Sequence, residues 1–201
     1  KRNKEKSLFV PSSQLTSGWK HIIIFITIIE INVIKLKPNI TKDELIDRLI
    51  LGLGIITLSQ GIPFYHLGME FGRTKKLHHN SYNLSDEYNG VNWECINEYS
   101  EVIATLKNFI KLRKKHSIFR FQSKDEINSY IKLDKFEGSI VLRYYDHINN
   151  DSYCLIIKND YSLEQKVFAP GSILVFDGRC EVEEDIELFK FNKPGCYLIK
   201  K

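Results

Sequence analysis

The sequence predicts an α/β region followed by an all-β region. Three observations carry this: a capped amphipathic helix from Thr41, a short apolar run after it, and a change of periodicity near residues 120 to 126 to short strands separated by turn signals. The helix comes first. "TKDE" at 41 to 44 is a capping box, in which Thr41 accepts from the Glu44 N–H and Glu44 reaches back to the N–H of Thr41. Leu45, Ile46, Leu49, Ile50 and Leu53 recur at helical spacing, and Asp43 and Glu44 suit the positive end of the helix dipole. Ser59-Gln60-Gly61 breaks the helix, and "IPFYHL" then reads as a strand buried on both faces.

From Gly68 the chain is polar and irregular up to Trp93, a length that marks functional loops more often than plain connections. A second helix is predicted from Cys95 to His116. Its apolar stripe is Ile96, Tyr99, Val102, Ile103, Leu106, Phe109 and Ile110, and Arg113, Lys114, Lys115 and His116 stand where cations favour the helix end. The short strands follow as "INSYIKL", "SIVLRYY", "SYCLIIKN", "QKVFA", "SILVFD", "IELFKF" and "CYLIK", with Pro170-Gly171 and Asp177-Gly178 among the turns. They predict a small antiparallel β-sandwich.

Composition narrows the function classes. Twenty-nine basic against 25 acidic residues give a net charge of +4, and the charges are interspersed, so no nucleic-acid stripe stands out. The four cysteines are widely spaced with no C-x-x-C pair, which argues against a zinc site or disulfide scaffold and fits a reducing, cytoplasmic setting. "HIIIFITIIEINVI", residues 21 to 34, is shorter than the roughly 20 residues a bilayer needs and is interrupted by Glu30 and Asn32, so no membrane role is expected. The chain opens on Lys1, and the expectation is that a true N-terminus and any targeting signal precede it. His66 and Glu70, with His78 and His79 nearby, have the H-x-x-x-E spacing of metal ligands. That spacing converges only on a helix, which Pro63 and Gly68 oppose, so neither metal nor cofactor is expected.

"SQGIPFYHLGMEFGRTKK", then "HNSY" and "SDEYNGVNW", a helix ending "LRKKHSIFR" and an all-β tail together resemble the C-terminal part of type I pullulanases. These are α-glucan debranching enzymes of the α-amylase family, glycoside hydrolase family 13, and the resemblance covers about residues 41 to 201. It implies the end of a (β/α)8 TIM barrel over 41 to 122, with Ile62 to Leu67 as the last strand and 95 to 116 as the last helix. A C-terminal β-sandwich over 123 to 201 would follow, leaving 1 to 40 as a divergent or out-of-frame segment. Barrel active sites lie at the C-terminal ends of the strands, so the loop from Gly68 to Trp93 would line the sugar cleft. Side chains that bind vicinal hydroxyls or stack on sugars are Arg, Asn, Asp and Tyr. The resemblance therefore points to Arg73, Asn80, Tyr82, Asp86 and Asn92 as glucan contacts, with an Arg73–Asp86 pair and a structural hydrogen-bonding role for Glu70. Leu67, Met69, Gly72 and Leu77 depart from the family pattern around Arg73.

The catalytic residues implied by the family are missing. Retaining glycosidases need two carboxyl groups about 5 to 5.5 Å apart. In this family they leave the fourth and fifth strands, with a third aspartate in a His-Asp motif after the seventh. Upstream of Thr41 the only acidic residues are Glu5 and Glu30, and His21 is followed by Ile22. About 120 residues precede the sandwich, against about 250 for a complete barrel. The expectation is a C-terminal fragment of an enzyme cleaving α-1,6 branch linkages of glycogen, starch or pullulan, inactive unless joined by the missing N-terminal part of the barrel. The alternative is a non-catalytic α-glucan-binding remnant.

Overall fold

The structure is a computed structural model and describes residues 39–76, 78, 80–161, 165–191 and 193–201. The isoleucine-rich run at 21 to 34, and all but the last two positions of the 1 to 40 segment, lie outside the described residues.

Helix α1 spans Lys42–Leu58 and starts at the expected capping box: Thr41 Oγ1 accepts from the Glu44 N–H at 3.2 Å and Glu44 Oε2 accepts from the Thr41 N–H at 3.4 Å. Its burial exceeds one stripe. Leu51, Ile56 and Leu58 are buried along with Ile46, Leu49, Ile50 and Leu53, because α1 lies between a second long helix and the sheet. Close approach is made possible by Gly54. A Cβ there would stand 2.8 Å from both Cys196 Sγ and Phe109 Cζ.

After α1 the expected last strand does not form. Residues 62–66 belong to neither helix nor strand, and Ile62 and Phe64 are 77% and 54% exposed. A strand needs a neighbour to hydrogen-bond, and among the described residues none lies beside this segment. Nor do the described residues form a barrel. The segment is instead held from one end, where Gln60 donates to the Ile118 carbonyl at 2.6 Å and accepts from the Phe121 N–H at 3.1 Å, and by a 2.7 Å hydrogen bond between the Thr57 and Tyr65 hydroxyls.

Helix α2, Asp86–Asn89, lies within the loop, and the predicted 95–116 helix is divided into α3, Cys95–Glu98, and α4, Ser100–Lys115. The break falls at Tyr99, whose ring lies so close to Gly72 that a Cβ there would be 2.7 Å from Tyr99 Cζ. Ile96 is left outside the core, while Val102, Phe109 and Leu112 of α4 are fully buried. Arg113 departs most from expectation. Rather than facing solvent at the end of its own helix, it is buried and donates to the carbonyls of Thr57 at 2.8 Å, Ser59 at 2.7 Å and Gly61. It thus caps α1 from α4.

"INSYIKL" is only half strand. Ile127 to Tyr130 close α5, Lys124–Tyr130, which begins at a second capping box made by Ser123 and Glu126. The strands are β1 Ile131–Phe136, β2 Ser139–Asp146, β3 Asp151–Lys158, β4 Gln165–Phe176, β5 Glu181–Phe191 and β6 Gly195–Lys200. Six strands replace the expected seven because Pro170-Gly171 is a bulge within β4 and not a turn: β5 pairs on both sides of the register shift between Phe168 and Ser172. All pairs are antiparallel, as expected, but they form one continuous sheet of order β1-β2-β3-β6-β4-β5 where two sheets were expected.

One face of the sheet, with Tyr153, Leu155, Ile157, Cys196 and Leu198, meets α1 and α4 in a single apolar cluster. On the other face Ile156, Leu174, Ile186, Phe191, Tyr197 and Ile199 pack together, where the end of the β4–β5 hairpin brings Phe191 within 4.7 Å of the Tyr197 ring. Asp47 of α1 ties the helices to the sheet. It accepts from the Tyr161 hydroxyl at 2.6 Å and pairs with Arg179 after β4. Among the described residues no helix is long and apolar enough to cross a membrane.

His116, at the end of α4, is half-buried, and its Nε2 has no hydrogen-bond partner. Burial pushes the imidazole below its ordinary value; Lys115 and Lys200 lower it further, while Glu181 and Asp146 oppose them. A folded state that holds the neutral form binds fewer protons than the unfolded chain, so stability falls as pH drops through the unfolded histidine value of about 6.5. The urea midpoint is expected to drop between pH 7 and pH 5. In His116→Gln that drop should shrink, and an unchanged profile would show that His116 does not contribute.

Candidate functional site

The long loop is ordered by its own side chains. It leaves the 62–66 segment through Gly68 (φ +90°), makes a 3₁₀ turn over Met69–Phe71 and turns again at Gly72 (φ +69°). The Arg73 N–H donates to the Gly68 carbonyl at 2.9 Å, closing this reversal. Its guanidinium crosses the loop. One terminal nitrogen donates to the Leu67 carbonyl at 3.0 Å and the other to the Asn89 carbonyl, so Arg73 joins the start of the loop to α2.

Asn89 completes the staple. Its amide nitrogen donates to the carbonyls of Ser81 at 2.6 Å and Leu84 at 2.8 Å, and its amide oxygen accepts from Lys75 Nζ at 2.7 Å. Gly90 follows closely enough that a Cβ would sit 2.5 Å from the Asp86 carbonyl. Outside this centre Lys76 pairs with Glu87 at 2.6 Å and lies 5.2 Å from the Tyr88 ring centroid, and His78 meets the edge of that ring. Burial lowers the Lys75 and His66 pKa values, and the Arg73 charge adds to both. The hydrogen bond to Glu87 raises Lys76.

The expected site residues fall into two groups. Arg73 is half-buried and committed to backbone carbonyls, and among the described residues no ion pair joins it to Asp86, which corrects the expected Arg73–Asp86 pair. The guanidinium is held toward the Leu67 and Asn89 carbonyls, and its Nε is buried without a hydrogen-bond partner. Asn80, Tyr82, Asp86 and Asn92 are all exposed, Tyr82 at 81%. Asn92 also accepts from the Glu94 N–H at 3.1 Å, leading the chain toward α3.

Glu70 sits half-buried in the 3₁₀ turn, not at a strand end. Among the described residues it makes no hydrogen bond or ion pair. Sequence reasoning missed Asn89, although it lies inside the D-E-Y-N motif, and missed the exposed rings of Phe64 and Trp93, which flank the loop. Trp93 stands 5.8 Å from the Phe71 ring. Among the described residues no three His, Cys, Asp or Glu side chains approach as a metal-ligand set.

The surface so built offers amides, a phenol, a carboxylate and aromatic rings on a loop fixed by Arg73 and Asn89. Such groups donate to and accept from vicinal hydroxyls.

A helical layer carrying this loop, docked on an antiparallel sheet, is similar to the C-terminal region of pullulanases. The particular relatives are these. The pullulanase of Bacillus subtilis (strain 168) is 39% identical over 97 residues, covering 48% of this chain and 14% of the relative. The crystal structure of the Anoxybacillus sp. LM18-11 pullulanase complexed with maltotetraose superposes with a TM-score of 0.75 at 26% identity, over 88% of this chain and 26% of that one. The type I pullulanase of Bacillus subtilis str. 168 complexed with maltose gives 0.75 and 26%, over 88% and 25%. The chain thus spans between about a seventh and a quarter of these relatives. No family model matches it.

Proposed function

We propose that this chain is the C-terminal part of a pullulanase-like glycoside hydrolase and forms one wall of a cleft for α-glucans. The observation that carries the reading is the loop from Gly68 to Trp93, in which Arg73 and Asn89 hold the backbone while Asn80, Tyr82, Asp86 and Asn92 face solvent. Two structural relatives are described as bound to maltotetraose and maltose, which supports α-1,4-linked glucose units as the ligand. The reaction would be hydrolysis of an α-1,6 branch linkage, with the nucleophile and acid/base supplied from outside this chain. Arg73 acts here as a positioning residue. The exposed amides and the Asp86 carboxylate orient the sugar.

Residues 1–201 should bind insoluble starch and release no reducing sugar from pullulan. Retention should survive Asn92→Ala only in part. It should fall at least about tenfold in Asp86→Ala combined with Arg73→Ala, equivalent to about 1.4 kcal/mol. Absence of retention would refute the cleft wall. Hydrolysis that persists through rigorous purification would refute the need for external carboxylates.

A further inference from the structure

On the sheet side of the molecule a cavity of about 350 Å³ opens where the start of α4, the β4–β5 turn and the β5–β6 turn meet. Its lining is Glu101, Asp177, Arg179, Phe189, Lys190, Lys193 and Tyr197, none of which belongs to the loop described above. The volume lies in the range of small-molecule sites, about 300 to 1,000 Å³.

The polar groups are fixed before any ligand arrives. Arg179 donates through Nε to Glu101 at 2.9 Å and through a terminal nitrogen to buried Asp47. Asp177 Oδ1 accepts from the N–H groups of Arg179 and Cys180, each at 2.8 Å. The Tyr197 hydroxyl donates to the Lys193 carbonyl at 2.8 Å, which sets the β5–β6 turn, and the Phe189 ring packs 5.8 Å from Tyr197 as an apolar wall. One polar group remains uncommitted: the exposed Lys193 ammonium makes no hydrogen bond or ion pair among the described residues.

Charge decides the ligand class. The positive charge of Arg179 is already divided between Glu101 and Asp47, and Asp177 shares the lining with Lys190 and Lys193, so an anion would meet carboxylates as well as cations. Mixed donors and acceptors beside an aromatic wall suit a neutral polyhydroxylated ring. We propose that this cavity is a second, non-catalytic site for a neutral α-glucan chain; the identity of the sugar rests on the reading above.

Hydrogen–deuterium exchange of residues 1–201 with and without maltotetraose tests the two sites separately. Slowed exchange at 177–182 and 193–201 is expected, retained in Arg73→Ala and weakened about fivefold in affinity by Lys193→Glu, the loss of one hydrogen bond worth about 1 kcal/mol. Protection confined to 68–93 would overturn the second site and leave the cleft wall standing. Protection confined to 177–201 would support the second site and remove the loop reading. No protection at either place would overturn both. Equal protection by inorganic phosphate would overturn the assignment of a neutral sugar.

Discussion

Arg113→Met is expected to destabilise the chain by about 1.5 to 3 kcal/mol, the range for losing hydrogen bonds from a charged donor to otherwise unpaired carbonyls. Methionine keeps much of the stem packing but removes the donors that reach Thr57, Ser59 and Gly61. Carbonyls at a helix C-terminus have no intrahelical partner, and leaving a buried one without a donor costs about 1 to 3 kcal/mol. Arg113→Lys should recover part of the loss, because one ammonium can reach one or two of the three carbonyls. The effect should also be local: proteolysis at 59–66 should accelerate in Arg113→Met beyond what global unfolding explains, since these bonds fix the segment that enters the loop. Urea unfolding checks the first expectation, and a loss below about 1 kcal/mol would mean that water replaces the guanidinium.

Gly54→Val should have an effect of comparable size. Its first added carbon would stand 2.8 Å from Cys196 Sγ and from Phe109 Cζ, both on fully buried side chains. Overpacking costs about 1 to 3 kcal/mol even for small additions, and valine adds two methyl groups beyond the Cβ. Gly54→Ala is the informative control, because alanine regains about 1 kcal/mol of helix propensity while suffering the same first contact. Cys196→Ala should relieve the Gly54→Ala strain, giving a coupling energy of opposite sign to the single losses in a double-mutant cycle. Thermal midpoints of the four proteins measure it. Purely additive midpoints would place the strain elsewhere.

What could be read from the sequence depended on how local the cause was. "TKDE" fixed the start of α1 because all its partners lie within four positions. "SKDE" at 123 to 126 carries the same signal, but the β-rich run beyond it masks the helix in the periodicity. Pro170-Gly171 has turn chemistry, but whether it turns the chain or bulges it depends on β5, which pairs across it from a distance in sequence. The 62–66 segment carries strand residues without a strand, since pairing is a property of two segments. For the candidate site, the place of the loop was legible and its internal wiring was not. Arg73 was expected to meet a carboxylate; its backbone carbonyl partners, and the role of Asn89, depend on a fold-back that composition does not encode.

The position of β6 in the sheet sets an order of assembly. Gly195–Lys200 is last in sequence yet lies between β3 and β4, so it joins the β1-β2-β3 meander to the β4–β5 hairpin and also carries Cys196 and Leu198 into the helix-facing core. As the chain leaves the ribosome, the meander and the hairpin can each form locally, but neither can be joined to the other until residue 200 has emerged. Until then two strand edges and the flank of α1 stay uncovered. The non-local pairing of β6 with β3 and β4 is therefore expected to be the slow step in folding these strands.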